Sequence, residues 1–359
     1  MDDLTSGFNI GTNYTSHEEF NGMVGFSEEE VRTMLDYYAE ATGVFRHTTE
    51  ELIQIMAPYY NHYCFAKDCY GEESMYNSNM VLYFVSSYIS RKGKLPEDML
   101  DVNIKTDYDK LRMLIHKDKE FNPDASTIQT IANQGYIIEE VNAHFPARDI
   151  ANPRNFASLL YYFGFLTYGG YTDRGQTKLI IPNQVVREQI YTFLLSIYKD
   201  MELTQDDCTR QKLESDLAID GDWKSYFTYI ADRLKAYASV RDVQKGEAVV
   251  HGFMLGVISQ NNYYYPYSEQ DCNVGGYADI LLSPRSIKMP YVKHCYVIEL
   301  KYVKSSQPDS AVEAALTQAA AQVTRYAEAQ HAVELSLGTE IHKLCIVFRG
   351  LKEMVCKVV

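Results

Sequence analysis

The chain has 359 residues, of which 46% are hydrophobic and 23% charged, and its formal net charge is −14. This composition excludes a disordered chain, the length predicts two or three domains, and no apolar run reaches the roughly 18 residues that a membrane-spanning helix needs. The acidic start Met1-Asp2-Asp3 is unlike a secretory signal, and seven scattered cysteines without a C-x-x-C pair favour reduced thiols in a cytoplasm over a disulfide framework or a zinc site.

The first 120 residues are predicted to be mainly helical. Residues 1–25 lack periodicity and are expected to form a loop. Ser27, with Glu30 three residues later, predicts a capped helix start. The aromatic run Tyr59–Phe65 predicts strands or turns, and a second helix is expected over about 77–91. A further helix through Leu111 and Leu114 should end near 118.

The region from Asp149 to Asp200 predicts a helix–strand–strand–helix unit that resembles a winged helix. Winged helices that bind DNA usually display basic side chains, whereas the charges here are mixed, so a packing or interaction module is the favoured interpretation over a DNA reader. Two more helices are expected near 206–218 and 222–237, with Gly221 between them.

A polar segment at 240–246 predicts a domain boundary, and the order after it is α-β-β-α-β-β. The expected elements are a helix at 247–258, a hairpin at 277–303, a helix at 309–330 and strands at 341–348 and 353–359. From residue 240 onward twelve Lys and Arg balance twelve Asp and Glu, so the acidic excess lies in residues 1–239. A neutral C-terminal part permits a nucleic-acid groove without requiring one.

The hairpin carries the most informative residues. Asp279 lies in its first strand, and Glu299 and Lys301 share one face of its second strand because side chains two apart in a strand point the same way. Two carboxylates suit Mg²⁺ or Mn²⁺, and an adjacent ammonium can orient water or offset charge on a phosphate. An ordinary solvated strand face is the alternative interpretation of the same three residues.

Two flanking helices add candidates. Glu247 opens the helix at 247–258 and lies where it could reach the hairpin, although an acid at a helix start is also favourable without any site. The helix at 309–330 carries Gln318, Gln322 and Tyr326 at intervals of four, which is either a face that bonds the site or a solvated stripe. The doublet His294-Cys295 is interpreted as core packing because neighbours in a strand face opposite ways, and the isolated His116, His144 and His251 as surface or satisfied core residues.

Together these elements resemble the PD-(D/E)XK nuclease superfamily over roughly residues 240–359. A helix with Glu247, a strand with Asp279, a strand with Glu299-x-Lys301 and a helix with Gln322 and Tyr326 are its motif elements. The phrases Gly275–Ile280, Val297–Lys301, Phe26–Val31, Tyr161–Thr167 and Ile181–Glu188 are similar to one subgroup, in which the nuclease domain follows an AAA-ATPase-like region.

The resemblance implies an α+β protein of three parts. Residues 1–120 would be the helical, lid-like end of the ATPase-like region, 121–239 a helical and winged-helix-like module, and 240–359 an α/β nuclease-like domain with a central mixed sheet. No G-x-x-x-x-G-K-[ST] loop occurs, so no ATP hydrolysis is expected from this chain, and truncation of a longer protein is one explanation for the missing ATPase core. The proline of the motif name is replaced by Ala278.

The resemblance also implies roles at the site. Asp279, Glu299 and the Leu300 carbonyl would bind Mg²⁺ or Mn²⁺, Lys301 would orient or deprotonate water, Glu247 would hold a second ion or a water, and Gln322 would steady the strand or the phosphate. The expected partner is nucleic acid, DNA in preference to RNA, with a protein partner or the missing ATPase core as a further one and no membrane.

Two other functions fit the same residues. The nuclease fold could serve as a catalytically silent scaffold for protein partners, which the acidic N-terminal part and the tyrosines Tyr263, Tyr264, Tyr265 and Tyr267 favour; exposed tyrosines could also stack on bases. The site could instead hydrolyse a nucleotide or another small phosphate. Nucleophilic Ser or Cys catalysis has no support, because no G-x-S-x-G elbow occurs.

Overall fold

The computed structural model describes residues 14–96, 98–100, 127–143, 145, 152–197, 207–237, 246–271, 277–285 and 289–359. These residues divide into two compact units. The first comprises Met1–Ile131 and Tyr136–Gln189, and the second comprises Ala132–Gly135 and Ile190–Val359. The threefold division expected from the sequence remains a prediction. The expected helix through Leu111 and Leu114, the segment 238–245, His116, His144 and the glycines at 275 and 276 lie outside the described residues.

The first unit combines helices with a small sheet. Its elements are α1 (Glu28–Thr42), α2 (Thr49–Tyr60), α3 (Ser78–Ser90), α4 (Thr127–Gln134), β1 (Tyr136–Ile138), α5 (Phe156–Tyr162), β2 (Thr167–Tyr171), β3 (Thr177–Ile180) and α6 (Gln184–Ile197), the division between units falling inside α4 and α6. The three strands form an antiparallel sheet in the order β1-β3-β2.

Local capping chemistry explains where the first helices begin. Ser27 and Glu30 form the expected capping box of α1, and Gly43 ends that helix in the left-handed conformation. Thr48 and Glu51 form a second capping box, which starts α2. This helix extends to Tyr60, so the prediction of strands or turns over Tyr59–Phe65 was wrong for its first two residues. The capping residues Thr48 and Glu51 were visible in the sequence and could have predicted the start of this helix.

Other sequence expectations in this unit have mixed outcomes. The helix expected at 77–91 is α3, and the helix–strand–strand–helix order after residue 149 is present as α5, β2, β3 and α6. Its assignment as a winged helix remains a prediction. Within the stretch expected to be a loop, Glu18–Met23 forms a 3₁₀ helix. Asn21 holds it in place, because its Oδ1 accepts the backbone N–H groups of Phe65 and Ala66.

The second unit is built on a five-stranded sheet. Its further elements are α7 (Asp207–Ile219), α8 (Trp223–Tyr237), α9 (Glu247–Ser259), β4 (Tyr264–Asp271), β5 (Tyr277–Pro284), β6 (His294–Val303), α10 (Asp309–Ala327), α11 (Gln330–Leu335), β7 (Glu340–Arg349) and β8 (Glu353–Val358). The strand order is β4-β5-β6-β7-β8. Only β6 and β7 pair in parallel, so the sheet is mixed, as expected.

Strand β4 was missing from the expected order, and the tyrosines in it and directly before it are not a free aromatic surface. Tyr264 is fully buried, whereas Tyr263, Tyr265 and Tyr267 are partly buried. The expected helix at 309–330 ends at Ala327 and is followed by the separate helix α11. No helix in the part of the chain that the structure describes combines the length and apolar character needed to span a bilayer.

Candidate active site

Asp279 lies where strands β5 and β6 separate. Their antiparallel pairing covers Ile280–Leu282 and Tyr296–Ile298, and Leu281 is the partner of Val297. Asp279 and Glu299, each two residues from that pair, therefore lie on one face of the sheet. Beyond the paired residues, the Asp279 carboxylate takes the place of a backbone carbonyl as the hydrogen-bond acceptor for β6. Its Oδ2 accepts the Leu300 N–H at 2.7 Å. This hydrogen bond fixes the carboxylate beside β6.

Glu299 is a buried acid in the centre of the sheet. Every residue from Cys295 to Leu300 is buried, and Glu299 is the single charged residue in that run. Its Oε1 accepts a hydrogen bond from Lys301 Nζ at 2.6 Å, and the same Nζ lies 3.9 Å from Asp279 Oδ2. Its Oε2 is buried with no hydrogen-bond partner among the described residues. A buried charge that is only half satisfied is costly, which marks this position as a functional candidate.

The protonation equilibria of the three groups are linked. Burial, followed by the charge of Asp279, raises the pKa of Glu299 to about 7, although Lys301 opposes the shift. Burial also raises the pKa of Asp279, against the ammonium of Lys301 and the Leu300 N–H. Burial disfavours the charged form of Lys301, but the hydrogen bond to Glu299 and the neighbouring carboxylates leave its pKa above the ordinary value. The ammonium is therefore held in place by the acids around it.

Glu247, the first residue of α9, adds a third carboxyl group. The residue as a whole is exposed, yet its carboxyl group is partly shielded from water, and this desolvation together with the charge of Asp279 raises its pKa. Its charge also acts on Glu299 and Lys301. Glu247 thus lies within electrostatic range of the three strand residues.

Gln322 and the Leu300 carbonyl are less directly connected to this cluster. Gln322 lies on α10, which packs on the sheet face that carries Val297 and hence Glu299. Its Oε1 is buried without a hydrogen-bond partner among the described residues. Tyr326, one turn further along, is part of the packed core, whereas Gln318 is exposed. The contact found for Leu300 is through its N–H, and the role of its carbonyl as a ligand remains a prediction.

The sequence did not predict the residues that hold the backbone of Asp279 in place. The Nε2–H of His251, on α9, donates to the Asp279 carbonyl at 2.8 Å, and its Nδ1 lies 3.1 Å from Oδ1 of Asn133. Ser268 on β4 donates to the Asn133 carbonyl. His251 is thus a buried core residue whose Nε2–H is satisfied by the Asp279 carbonyl and holds the Asp279 backbone. Asn133 is 118 residues away in the chain, so no local pattern could have predicted this contact.

The donor set suits a hard divalent cation. Three carboxyl groups surround one ammonium, which leaves an excess of negative charge, and the unpartnered Glu299 Oε2 offers an acceptor where the described residues supply no donor. Oxygen donors of this kind suit Mg²⁺ and Mn²⁺ better than the softer ions that prefer sulfur or imidazole. The residues present therefore fit the ion that the motif implies.

Comparison with known proteins gives a family-level match over the C-terminal part of the chain. Residues 245–358 match the family model of the PD-(D/E)XK nuclease superfamily. The matched residues begin two residues before α9, end with β8 and include Glu247, Asp279, Glu299, Lys301 and Gln322. It supports the resemblance inferred from the motifs and indicates a nuclease-type domain, whereas the AAA-ATPase-like context remains a prediction. No curated protein and no solved structure matched the chain significantly.

Proposed function

We propose that this chain is a metal-dependent nuclease that hydrolyses phosphodiester bonds of nucleic acid, with DNA as the expected substrate. The observation that carries the proposal is the buried, half-satisfied Glu299, held by Lys301 and beside Asp279. A structural strand has no need of an acid at its centre, because an apolar residue of similar size would be stabilising there. A residue that breaks a folding rule in this way is expected at a functional site.

The chain's own residues would have separate tasks. Asp279 and Glu299 would bind the cation, together with Glu247 or a water that Glu247 holds. The Leu300 N–H orients the Asp279 carboxylate, and His251 holds the Asp279 backbone. Lys301 would offer its ammonium to the attacking water or to the phosphate, and Gln322 Oε1 would accept a hydrogen bond from water. The bound Mg²⁺ or Mn²⁺ would supply Lewis-acid activation of water and neutralise charge on the phosphate.

The test separates ion binding from hydrolysis. Asp279→Asn and Glu299→Gln should lose Mn²⁺ binding in calorimetry and lower cleavage of a mixed panel of single- and double-stranded DNA and RNA by at least about 10²–10³-fold, the cost typical of a lost transition-state contact. Lys301→Met should lower cleavage by a similar factor while Mn²⁺ affinity stays equal or rises, because removing a positive charge favours a cation.

Two variants, one of an acid and one of a lysine, serve as matched controls. Glu313→Gln and Lys304→Met change exposed residues of the same chemistry, and both should cleave like the unchanged chain. Thermal unfolding checks that each variant folds. If the unchanged chain binds Mn²⁺ with no difference from Asp279→Asn, the site is a scaffold remnant and the proposal is wrong. Cleavage of mononucleotide esters alone would instead assign a small-phosphate substrate.

A further inference from the structure

A second group of ligand-type side chains lies at the beginning of strands β6 and β7. His294 Nδ1 and His342 Nε2 are 2.9 Å apart, and Glu340 Oε2 is 3.3 Å from the first and 3.8 Å from the second. Two imidazoles and one carboxylate thus present a single ligand atom each to one small volume. None of these residues belongs to the motif described above.

The strand register separates this group from the carboxylate site. In the parallel pair, His294 is the partner of Glu340 and Tyr296 is the partner of His342, so all four side chains share one face of the sheet. Glu299 is an odd number of residues after His294 and therefore faces the opposite side. Five residues of strand also place the two sites roughly 17 Å apart along β6.

The three distances match a tetrahedral metal site. Ligand atoms about 2.0–2.1 Å from a zinc ion in tetrahedral geometry are about 3.3 Å from one another. The observed separations of 2.9, 3.3 and 3.8 Å lie around that value, so a shift of a few tenths of an ångström would complete the set. Two histidines and a glutamate are a donor set that zinc uses with a fourth, open position.

The surrounding residues hold both imidazoles in place. The ring of Tyr296 stacks on His342, and the Tyr296 hydroxyl donates to the Leu217 carbonyl. The Tyr264 hydroxyl donates to the His294 carbonyl. Gly221, at a φ of +73°, approaches so closely that a Cβ would lie 3.2 Å from His294 Nε2. The ring is therefore restricted on that side, and Nδ1 is directed towards Glu340 and His342.

The exposure of the three side chains gives a metal ion access to the group. The two histidine side chains are 12% and 17% exposed, whereas Glu340 is 67% exposed, so an ion can enter on the glutamate side. The 2.9 Å contact also requires at least one of the two facing ring nitrogens to carry a lone pair.

We propose that His294, Glu340 and His342 form a binding site for Zn²⁺ or a similar late first-row divalent ion. The site would join the first residues of β6 to those of β7, on the face opposite the carboxylate cluster. It differs from that cluster in ion class, because imidazole nitrogens select late transition metals over Mg²⁺. The proposal does not depend on nuclease activity.

Zinc affinity of the full chain tests this site. In excess Mg²⁺, which occupies oxygen-only sites, the unchanged chain should bind one Zn²⁺ in a competition titration with a chromogenic chelator. His342→Gln and Glu340→Gln should each weaken that affinity by at least about tenfold, the minimum loss seen even for residues that only support metal ligands. His17→Gln, at an exposed histidine, and Asp279→Asn should leave it unchanged.

Substitution of Co²⁺ gives an independent measurement. Bound Co²⁺ should show the strong visible absorption of a four-coordinate site in the unchanged chain and in Asp279→Asn, and lose it in Glu340→Gln. Because Glu340 is exposed, this variant should fold even if His342→Gln does not. Equal Zn²⁺ affinity in the unchanged chain and Glu340→Gln, or loss of binding in Asp279→Asn, would overturn the proposal.

Discussion

At the scale of single residues, buried acids are the unusual feature of the second unit. Glu299 is one of them, and Glu214 on α7 is another, with a side chain that is 1% exposed. Arg210 NH1 donates to Glu214 Oε1 at 3.0 Å and to the Gln260 carbonyl, but Glu214 Oε2 is buried without a partner among the described residues. The two acids differ in surroundings: Glu299 has further carboxyl groups beside it, whereas Glu214 faces arginines.

Glu214 makes stability depend on pH. Burial raises its pKa from 4.5 to about 7, more than the charge of Arg210 can offset. Between these values the folded chain keeps a proton that the unfolded chain releases, so the stabilisation from this group is complete below about pH 4.5 and lost as the pH rises through 7. Glu214→Gln carries no charge at any pH. The free energy of unfolding of Glu214→Gln should therefore increase, relative to that of the unchanged chain, by on the order of 2 kcal/mol as the pH rises from 5 to 8.

Urea unfolding at pH 5 and pH 8 measures this difference. Glu313→Gln, which changes an exposed glutamate, is the matched control and should show the same small effect at both pH values. If the difference between Glu214→Gln and the unchanged chain does not vary with pH, Glu214 is ionised in the folded state near its ordinary pKa, and the interpretation of its burial is wrong.

At the scale of elements, helix α10 and the sheet depend on small residues at their contact. Ala319 is fully buried in the cluster with Val297, Val323 and Cys345, whereas Ala321, two residues later, is exposed. Ala319→Leu should lower the free energy of unfolding by about 1–3 kcal/mol, because extra methyl groups in a packed core force neighbours apart. Since Gln322 is on the same helix, its position over the sheet should shift as well.

The alanine comparison is made by denaturant unfolding. Ala321→Leu adds the same atoms to the same helix on its solvent side, and its stability should change by no more than about 0.5 kcal/mol, as is usual for surface substitutions. Equal effects of the two substitutions would mean that helix propensity, and not packing against the sheet, sets the stability of this element.

At the scale of the whole molecule, the two proposed metal sites belong to one of the two compact units. The carboxylate cluster and the histidine cluster are both within Ile190–Val359. The negative charge of the chain, in contrast, lies before residue 240, since the residues after that point are balanced. In Ile190–Val359 as a whole, 21 Asp and Glu outnumber 18 Lys and Arg, so a nucleic acid that reaches the carboxylate site would meet only a weak net repulsion from this unit.

Hydrogen exchange can locate the response to an ion. A ligand that binds only the folded state stabilises the unit that binds it. Added Mn²⁺ should therefore slow amide exchange in β5 and β6, which carry Asp279 and Glu299, and leave α1 and α3 of the first unit unchanged. The Asp279→Asn variant is the control and should show no slowing. Equal protection of α1 and β6 would mean that the ion acts on both units.

The sequence by itself determined features that depend on near neighbours. The capping box of Ser27 and Glu30 involves residues three apart, and the shared face of Glu299 and Lys301 follows from the two-residue period of a strand. The pairing of β5 with β6, and hence the meeting of Asp279 with Glu299, was predictable because consecutive strands usually form a hairpin. These inferences need no knowledge of how distant segments pack.

Only the tertiary structure decided which distant residues meet. From its local neighbour Cys295, His294 was interpreted as core packing, but the residues beside its ring are Glu340 and His342, brought there by the parallel register of β6 and β7 after the α10 crossover. His251 likewise meets Asn133 across 118 residues. Such contacts are set by strand register and by the path of the chain between elements. Sequence patterns with periods of two or four residues carry no information about either.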